Sequence, residues 1–291
     1  SYNRGITRKL IDQIRYVLYT GIIIQFLMWA FGVGNVFYET WEECATRYMG
    51  SFTDPNQLGV FVFIVITYAY LTKNRKVDYV LFPVSLVLGI YLVLLSKSLA
   101  ALLGISVLLA LIVIRFLFEK CKINRIILAS GLVLLTLGTV RYFTPSRDFS
   151  IENVEYTTVN RIRYKMHTLI YADGIQYVLR ESAAEQILTY QDYFAYGAGE
   201  GNYERYYPDP VNEIHSSFIN LFYSYGIIPF SFLVIWLYKG LRNINRTVVI
   251  CLITILVEST FLVNYRQALF WITWLTMFYL CGSEESKTVI D

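Results

Sequence analysis

The feature that most constrains this chain is a recurrence of apolar runs, each about as long as a bilayer is thick, separated by short charged punctuation. A membrane-spanning helix needs roughly 20 mainly apolar residues at ~1.5 Å rise each. Runs on that scale occur at 16–32, 57–71, 79–95, 99–118, 126–143, 218–238, 247–264 and 268–281, the second and the last being short. The pattern predicts an all-α polytopic membrane protein with about eight transmembrane helices. Composition agrees: 56% of residues are hydrophobic and only 16% charged, and the mean hydropathy is +0.46, outside the usual balance of a water-soluble domain.

The net charge of +3 says little until the charges are assigned to sides of the membrane. With the first residue on the cytoplasmic side, the inner segments carry Arg4, Arg8, Lys9, Arg15, Lys73, Arg75, Lys76, Lys120, Lys122, Arg125, Lys239, Arg242, Arg246 and Lys287. The short outer loops carry only Arg47, Lys97 and Arg266. Basic residues accumulate in short cytoplasmic loops, so both ends of the chain are expected inside. Residues 1–15 are polar and basic, resembling neither a signal peptide nor a natural start, and the chain is expected to be part of a longer protein with further N-terminal helices.

Three regions follow: five spanning helices over 1–143, a large outer loop over 144–217, and three spanning helices with a cytoplasmic tail over 218–291. The loop carries Arg147, Arg161, Arg163, Lys165, Arg180 and Arg205 against the sign rule, which long loops escape. It also holds both histidines, His167 and His215. A connection of this length is functional or disordered, and its richness in Tyr, Ile and Leu points to a folded one. Ile162, Met166, Leu169 and Ile170 recur at helical spacing, followed by Ile175, Val178 and Leu179, which predicts amphipathic helices at the membrane surface. Arg163 and His167, four apart, would share one face. Cys44, Cys121, Cys251 and Cys281 are scattered without a C-x-x-C pair, so no metal site and no disulfide framework is indicated.

His215 stands at the water-facing mouth of the sixth run, with ten residues before Gly226. Asp54-Pro55-Asn56 opens a span, Ser96-Lys97-Ser98 makes a tight outer hairpin, and Gly197-Ala-Gly-Glu-Gly-Asn202 precedes the histidine in the large loop. These four pieces, in this order, resemble the O-antigen polymerase and O-antigen ligase family, whose His-(ten residues)-Gly signature the 215–226 segment matches. Lys97 stands where the family often has Arg, and Ser216 where it often has Asn.

The resemblance implies a GT-C-like, metal-independent and inverting membrane glycosyltransferase of the bacterial inner membrane, with its active site facing the periplasm or cell exterior. Its substrate would be an undecaprenyl-diphosphate-linked glycan. The expected reaction is polymerisation of O-antigen or capsule repeat units; the ligase, which transfers the glycan to a lipid core, is the close alternative. A chain-length regulator protein is an implied partner, membrane lipid another, and neither a cofactor nor nucleic acid is expected. The residues make physical sense of this. A diphosphate leaving group is polyanionic, and Arg163, Lys97, Arg180, Arg266 and Arg161 are candidates to bind its oxygens and offset the released charge. An imidazole can take the proton from an attacking sugar hydroxyl, which nominates His215 as the catalytic base, with Glu200 and Glu213 behind it. Tyr203, Tyr206 and Tyr207 are candidates for stacking on sugar rings.

Plainer readings compete at each position. Interfacial His and Tyr anchor many membrane proteins, and Arg161, Arg163, Lys165 and Arg180 suit helices that bind anionic lipid. Lys97 and Arg266 could snorkel, and Gly197-x-Gly199-x-Gly201 could be a plain turn. A transporter would need ionisable residues deep in spans or paired interrupted helices. Charge within the runs is sparse, Glu258 being the chief internal carboxylate.

Overall fold

A computed structural model describes residues 2–38, 45–119, 125–149, 157–172, 174, 176–177, 179, 191–200, 214–242 and 244–282. Most of these are helical. The elements are α1 (Tyr2–Ala30), β1 (Asn35–Tyr38), β2 (Ala45–Tyr48), α2 (Pro55–Thr72), α3 (Asp78–Ser96), α4 (Leu99–Glu119), α5 (Arg125–Phe143) and α6 (Thr158–Tyr171). A 3-10 turn (Gln191–Tyr193) is described next, then α7 (Ser217–Tyr225), α8 (Ile227–Gly240), α9 (Arg246–Ser259) and α10 (Ala268–Gly282).

Among the described residues four helices are long and apolar enough to cross a membrane: Gly5–Ala30, Pro55–Thr72, Asp78–Ser96 and Leu99–Glu119. Two shorter apolar helices, Ile227–Gly240 and Ala268–Gly282, accompany them. The chain is therefore a largely helical membrane protein. Among the described residues the one departure from an all-α description is the β1–β2 hairpin, antiparallel with Asn35 opposite Tyr48. Tyr48 donates its hydroxyl to the Gln25 carbonyl of α1 at 2.5 Å, which lays the hairpin against the helices.

The centre of the bundle is α2. Asp54 caps it, accepting from the Asn56 N–H at 2.7 Å, and Pro55 supplies the preset φ of a first helical residue. Some 83% of its spanning window is buried, against 28% for α3 and 22% for α4, although both of those are more apolar. Lipid is as good a solvent for Leu and Val as a protein core is, so the greasiest helices can face outward while the helix carrying Thr67, Tyr68 and Thr72 is enclosed. Small residues let the neighbours close in. A Cβ added to Gly59 would stand 2.6 Å from the Ser98 Cβ, and one on Gly89 would stand 2.7 Å from Ile66.

Two sequence expectations change here. The run expected to cross at 218–238 as one helix is broken at Gly226 into α7 and α8. The first helix begins at Tyr2 rather than at 16, because the polar stretch 2–15 lies on helix-compatible residues and its Asp12 and Arg15 are paired inside the bundle. In the large loop, α6 covers Ile162, Met166, Leu169 and Ile170 as expected, and the Thr157 hydroxyl caps it by accepting from the Asn160 N–H at 3.2 Å. The expected second amphipathic helix, from 175, lies largely outside the described residues.

Candidate functional site

The helices alternate in direction, so the turns at 54–56, 96–98, 214–217 and 260–267 all fall at one end of the bundle, here termed the loop end. The opposite end carries the 73–78 turn and the Arg246–Glu119 ion pair (2.7 Å). The four sequence motifs all lie at the loop end, where they join in pairs.

The first pair is Asp54-Pro55-Asn56 with Ser96-Lys97-Ser98. Arg47, on β2, bridges them: its Nε donates to the Ser96 carbonyl at 2.8 Å and its Nη2 to Asn56 Oδ1 at 3.1 Å. From the large loop, Arg161 of α6 donates to the Lys97 carbonyl at 2.7 Å. Two guanidinium groups thus hold successive carbonyls of one hairpin. Lys97 itself sits at φ 54°, ψ 29°, left-handed backbone that glycine or asparagine would occupy at less cost. It is the only non-glycine residue with positive φ among the described residues.

The second pair is the glycine-rich loop with the 215–226 segment. Gly226 has φ 81° and ψ 172°, a region essentially reserved for glycine, and this ends α7. Breaking a helix orphans its last carbonyls, which hydrocarbon cannot satisfy, so such breaks survive only where protein supplies partners. The loop does so: the Ala198 N–H donates to the Tyr223 carbonyl at 2.8 Å and the Gly199 N–H to the Ser224 carbonyl at 2.9 Å. The Ile227 N–H donates back to the Phe194 carbonyl at 2.7 Å. Backbones touch at the crossing. A Cβ on Gly226 would lie 2.6 Å from the Gly197 nitrogen, and one on Gly197 would lie 2.6 Å from the Tyr225 Cα. The two glycines of two separate motifs are therefore required by one contact.

Glu200, next in that loop, gathers three donors: the Tyr225 hydroxyl, the Tyr265 hydroxyl at 2.8 Å and Arg266 Nε at 2.6 Å. Burial alone would raise its carboxyl, but the hydrogen bonds from Tyr225, Arg266 and Tyr265 outweigh it and hold the group below its ordinary value. A carboxylate so engaged is a clamp on the 265–266 turn, which weakens its candidacy as an alternative base. The Tyr265 hydroxyl also lies 3.3 Å from Asn220 Oδ1.

His215 is exposed between two buried neighbours, Ile214 and Ser216. The Ile214 carbonyl accepts from Asn220 Nδ2 at 3.1 Å, and Ser217, the first residue of α7, is bound to the 262–264 turn. The imidazole is thus presented to the outside from a segment whose neighbouring residues are hydrogen-bonded.

The described cations among those expected each have their own partners. Arg161 meets the Lys97 turn and Arg266 meets Glu200. Arg163 lies over the Tyr142 ring, 5.1 Å from its centre. Arg163 and His167 do share a face of α6, both turned to the segment that ends α5: His167 Nε2 is 2.7 Å from the Arg147 carbonyl. Arg180, Tyr203, Tyr206 and Tyr207 lie outside the described residues, as does Glu213. Among the described residues no group of three or more His, Cys, Asp and Glu is placed to hold a metal ion.

Sequence reasoning missed Arg47, Asn220, Tyr225, Asn264 and Tyr265. Polar Ser217, Asn220 and Ser224 interrupt the apolar run at helical spacing, and that was the available signal for Asn220. Arg47 was marked only as a basic residue in a short outer loop, and its role comes from bridging residues 9 and 49 positions away. Compared with family models, curated proteins and solved structures, the chain matches none.

Proposed function

We propose that the protein is a metal-independent, inverting membrane glycosyltransferase that polymerises undecaprenyl-diphosphate-linked repeat units, with His215 as its base. The reading is supported above all by the Gly197–Gly226 contact, which makes two distant sequence motifs one physical unit beside Arg266. In this reading eight spans in a GT-C-like arrangement cross the bacterial inner membrane, and the loop end faces the periplasm or cell exterior. The opposite end, with Lys73, Arg75, Lys76, Lys239, Arg242 and Arg246, faces the cytoplasm.

In the reaction an acceptor sugar hydroxyl attacks the anomeric carbon of the donor glycan. His215 takes the hydroxyl proton as the new glycosidic bond forms. The bond from the anomeric carbon to the diphosphate oxygen breaks, and undecaprenyl diphosphate leaves with the bonding pair. Lys97, Arg161, Arg163, Arg180 and Arg266 offset the charge it carries away, and Tyr203, Tyr206 and Tyr207 contact the sugars. So good a leaving group needs no acid.

A second reading, a transporter of a polar lipid, draws on the broken α7–α8 pair and on the buried carboxyl of Glu258. It lacks a matching break in a second half of the chain among the described residues. His215→Ala separates the two. The glycosyltransferase reading expects a loss of about 10²–10⁴ in polymerisation of purified lipid-linked units, with protein level near normal. Full turnover by that variant would remove the histidine from the mechanism.

A further inference from the structure

Glu258, in the last turn of α9, is fully buried and takes no part in the reaction proposed above. Its Cβ lies where a Cβ on Gly104 would come within 3.1 Å, so it is wedged against α4. One carboxyl oxygen accepts from Asn264 Nδ2, and the other has no hydrogen-bond partner among the described residues. Packing alone gives no reason for such a group. A buried carboxyl short of partners is costly, and Leu or Met would fill the same volume at less expense.

The reason lies one residue further on. Asn264 Nδ2 also donates to Ser259 Oγ at 2.8 Å, so its amide nitrogen faces two acceptors in α9. That fixes the amide carbonyl on the opposite side, where it is one of two acceptors for the Ser217 hydroxyl, at 2.7 Å, beside the Leu262 carbonyl at 2.8 Å. The Asn264 N–H donates to the same Ser217 oxygen at 2.9 Å. An amide has two orientations that differ only in which atom is donor and which acceptor. Glu258 and Ser259 each turn an oxygen toward Asn264 Nδ2, and the pair holds the amide in the orientation that presents an acceptor to Ser217.

We propose that Glu258 is a positioning residue: through Asn264 and Ser217 it fixes the first turn of α7 and thereby the aim of the His215 imidazole two residues earlier. Interactions within the membrane-spanning bundle thus set the geometry of a group exposed at its mouth. The consequence for turnover rests on the reading of His215 as base; the mechanical link does not.

The test pairs an activity measurement with a positional one. Glu258→Gln keeps an acceptor toward Asn264 and is expected to keep kcat within about threefold of the starting protein. Glu258→Leu removes the acceptor, and misplacement of a reacting group is expected to lower kcat on the order of 10²-fold while KM changes little. Ser217→Ala breaks the same link with almost no change in volume, and it tests the link if the leucine variant does not fold. In parallel, a nitroxide at position 215 reads the segment directly, using His215→Cys with Cys44 and Cys121 replaced by serine. Its spectrum is expected to sharpen toward a mobile label in the Glu258→Leu and Ser217→Ala backgrounds and to stay unchanged with Glu258→Gln. An unchanged label in both disrupting variants would overturn the proposal, as would a kcat loss in Glu258→Gln equal to that in Glu258→Leu. A mobilised label with undiminished turnover would uphold the link and overturn the role of His215.

Discussion

Two buried polar networks sit at opposite ends of the bundle, and they are built differently. At one end Arg15 of α1, with no exposed surface, meets Asp12 at 2.9 Å, Asp78 at 3.0 Å and the Thr72 carbonyl at 2.5 Å, while Arg75 meets Asp12 at 2.9 Å. Asp78 also accepts the Asn74 and Arg75 N–H groups at 3.0 and 2.8 Å. These ions neutralise each other and join three unbroken helices. At the loop end, Glu200, Asn220, Asn264 and Tyr265 join a broken helix, a glycine loop and a turn, beside the exposed His215. The first network closes on itself. The second supports something it does not contain. Burial of charge by itself therefore does not mark a site.

The sharpest way to break this comparison is to remove Arg15. Arg15→Met leaves buried Asp78 without its cation and Asp12 with Arg75 alone, and the loss of one member of a buried ion cluster costs about 3–5 kcal/mol. The expected outcome is a large fall in the thermal midpoint of the detergent-solubilised protein with turnover per folded molecule unchanged. A matching fall in turnover would mean that the two networks are coupled.

Next in size is Gly226→Ala, which places a methyl against the Gly197 backbone in a conformation closed to alanine. Such strain costs about 1–3 kcal/mol, and here it is relieved by undocking the 194–199 segment rather than by unfolding the bundle. Amide exchange at Ala198 and Gly199 should rise while that in α2 stays protected. Uniformly increased exchange would show that the glycine contact holds the fold and not the loop.

Lys97→Gly sharpens the contrast in the other direction. It removes the left-handed strain and should stabilise the protein by roughly 1 kcal/mol, offset in part by glycine's greater freedom when unfolded. If the side chain binds diphosphate, polymerisation should fall while the midpoint holds or rises. Retained activity would leave Lys97 a turn residue alone.

The smallest effect concerns Glu200. Its carboxyl is held below the ordinary value in the folded protein, so its contribution is present in full above that value and is lost as pH falls through the lowered one. A spin label at exposed position 196 should report a docked loop, unchanged from neutral pH down to the ordinary carboxylate range, and release only in stronger acid. Glu200→Gln should loosen the loop at neutral pH and remove that acid-dependent step. Release beginning near neutrality would assign the docking to another group.

What the sequence by itself determined is local. Apolar runs at 57–71, 79–95, 99–118 and 268–281 became α2, α3, α4 and α10 because burying a polar backbone in hydrocarbon leaves a helix as the answer wherever such a run occurs. The Asp54 cap and the amphipathic α6 were legible for the same reason, since each depends on residues within one or two turns. The location of the candidate site was legible as well, from four short motifs whose order alone could be read.

Its construction was not legible. The break at Gly226 depends on the N–H groups of Ala198 and Gly199, more than twenty residues away in the chain, and an apolar run with a glycine in it does not announce whether such donors will arrive. Arg47 gained its role by bridging two turns, and α2 became the centre of the bundle although it is less apolar than α3 or α4. Glu258 was visible only as an isolated carboxylate, because its meaning lies in the direction it gives to the amide of Asn264. In each case the deciding interaction joins residues distant in sequence, and only the packed helices determine which donors meet which acceptors.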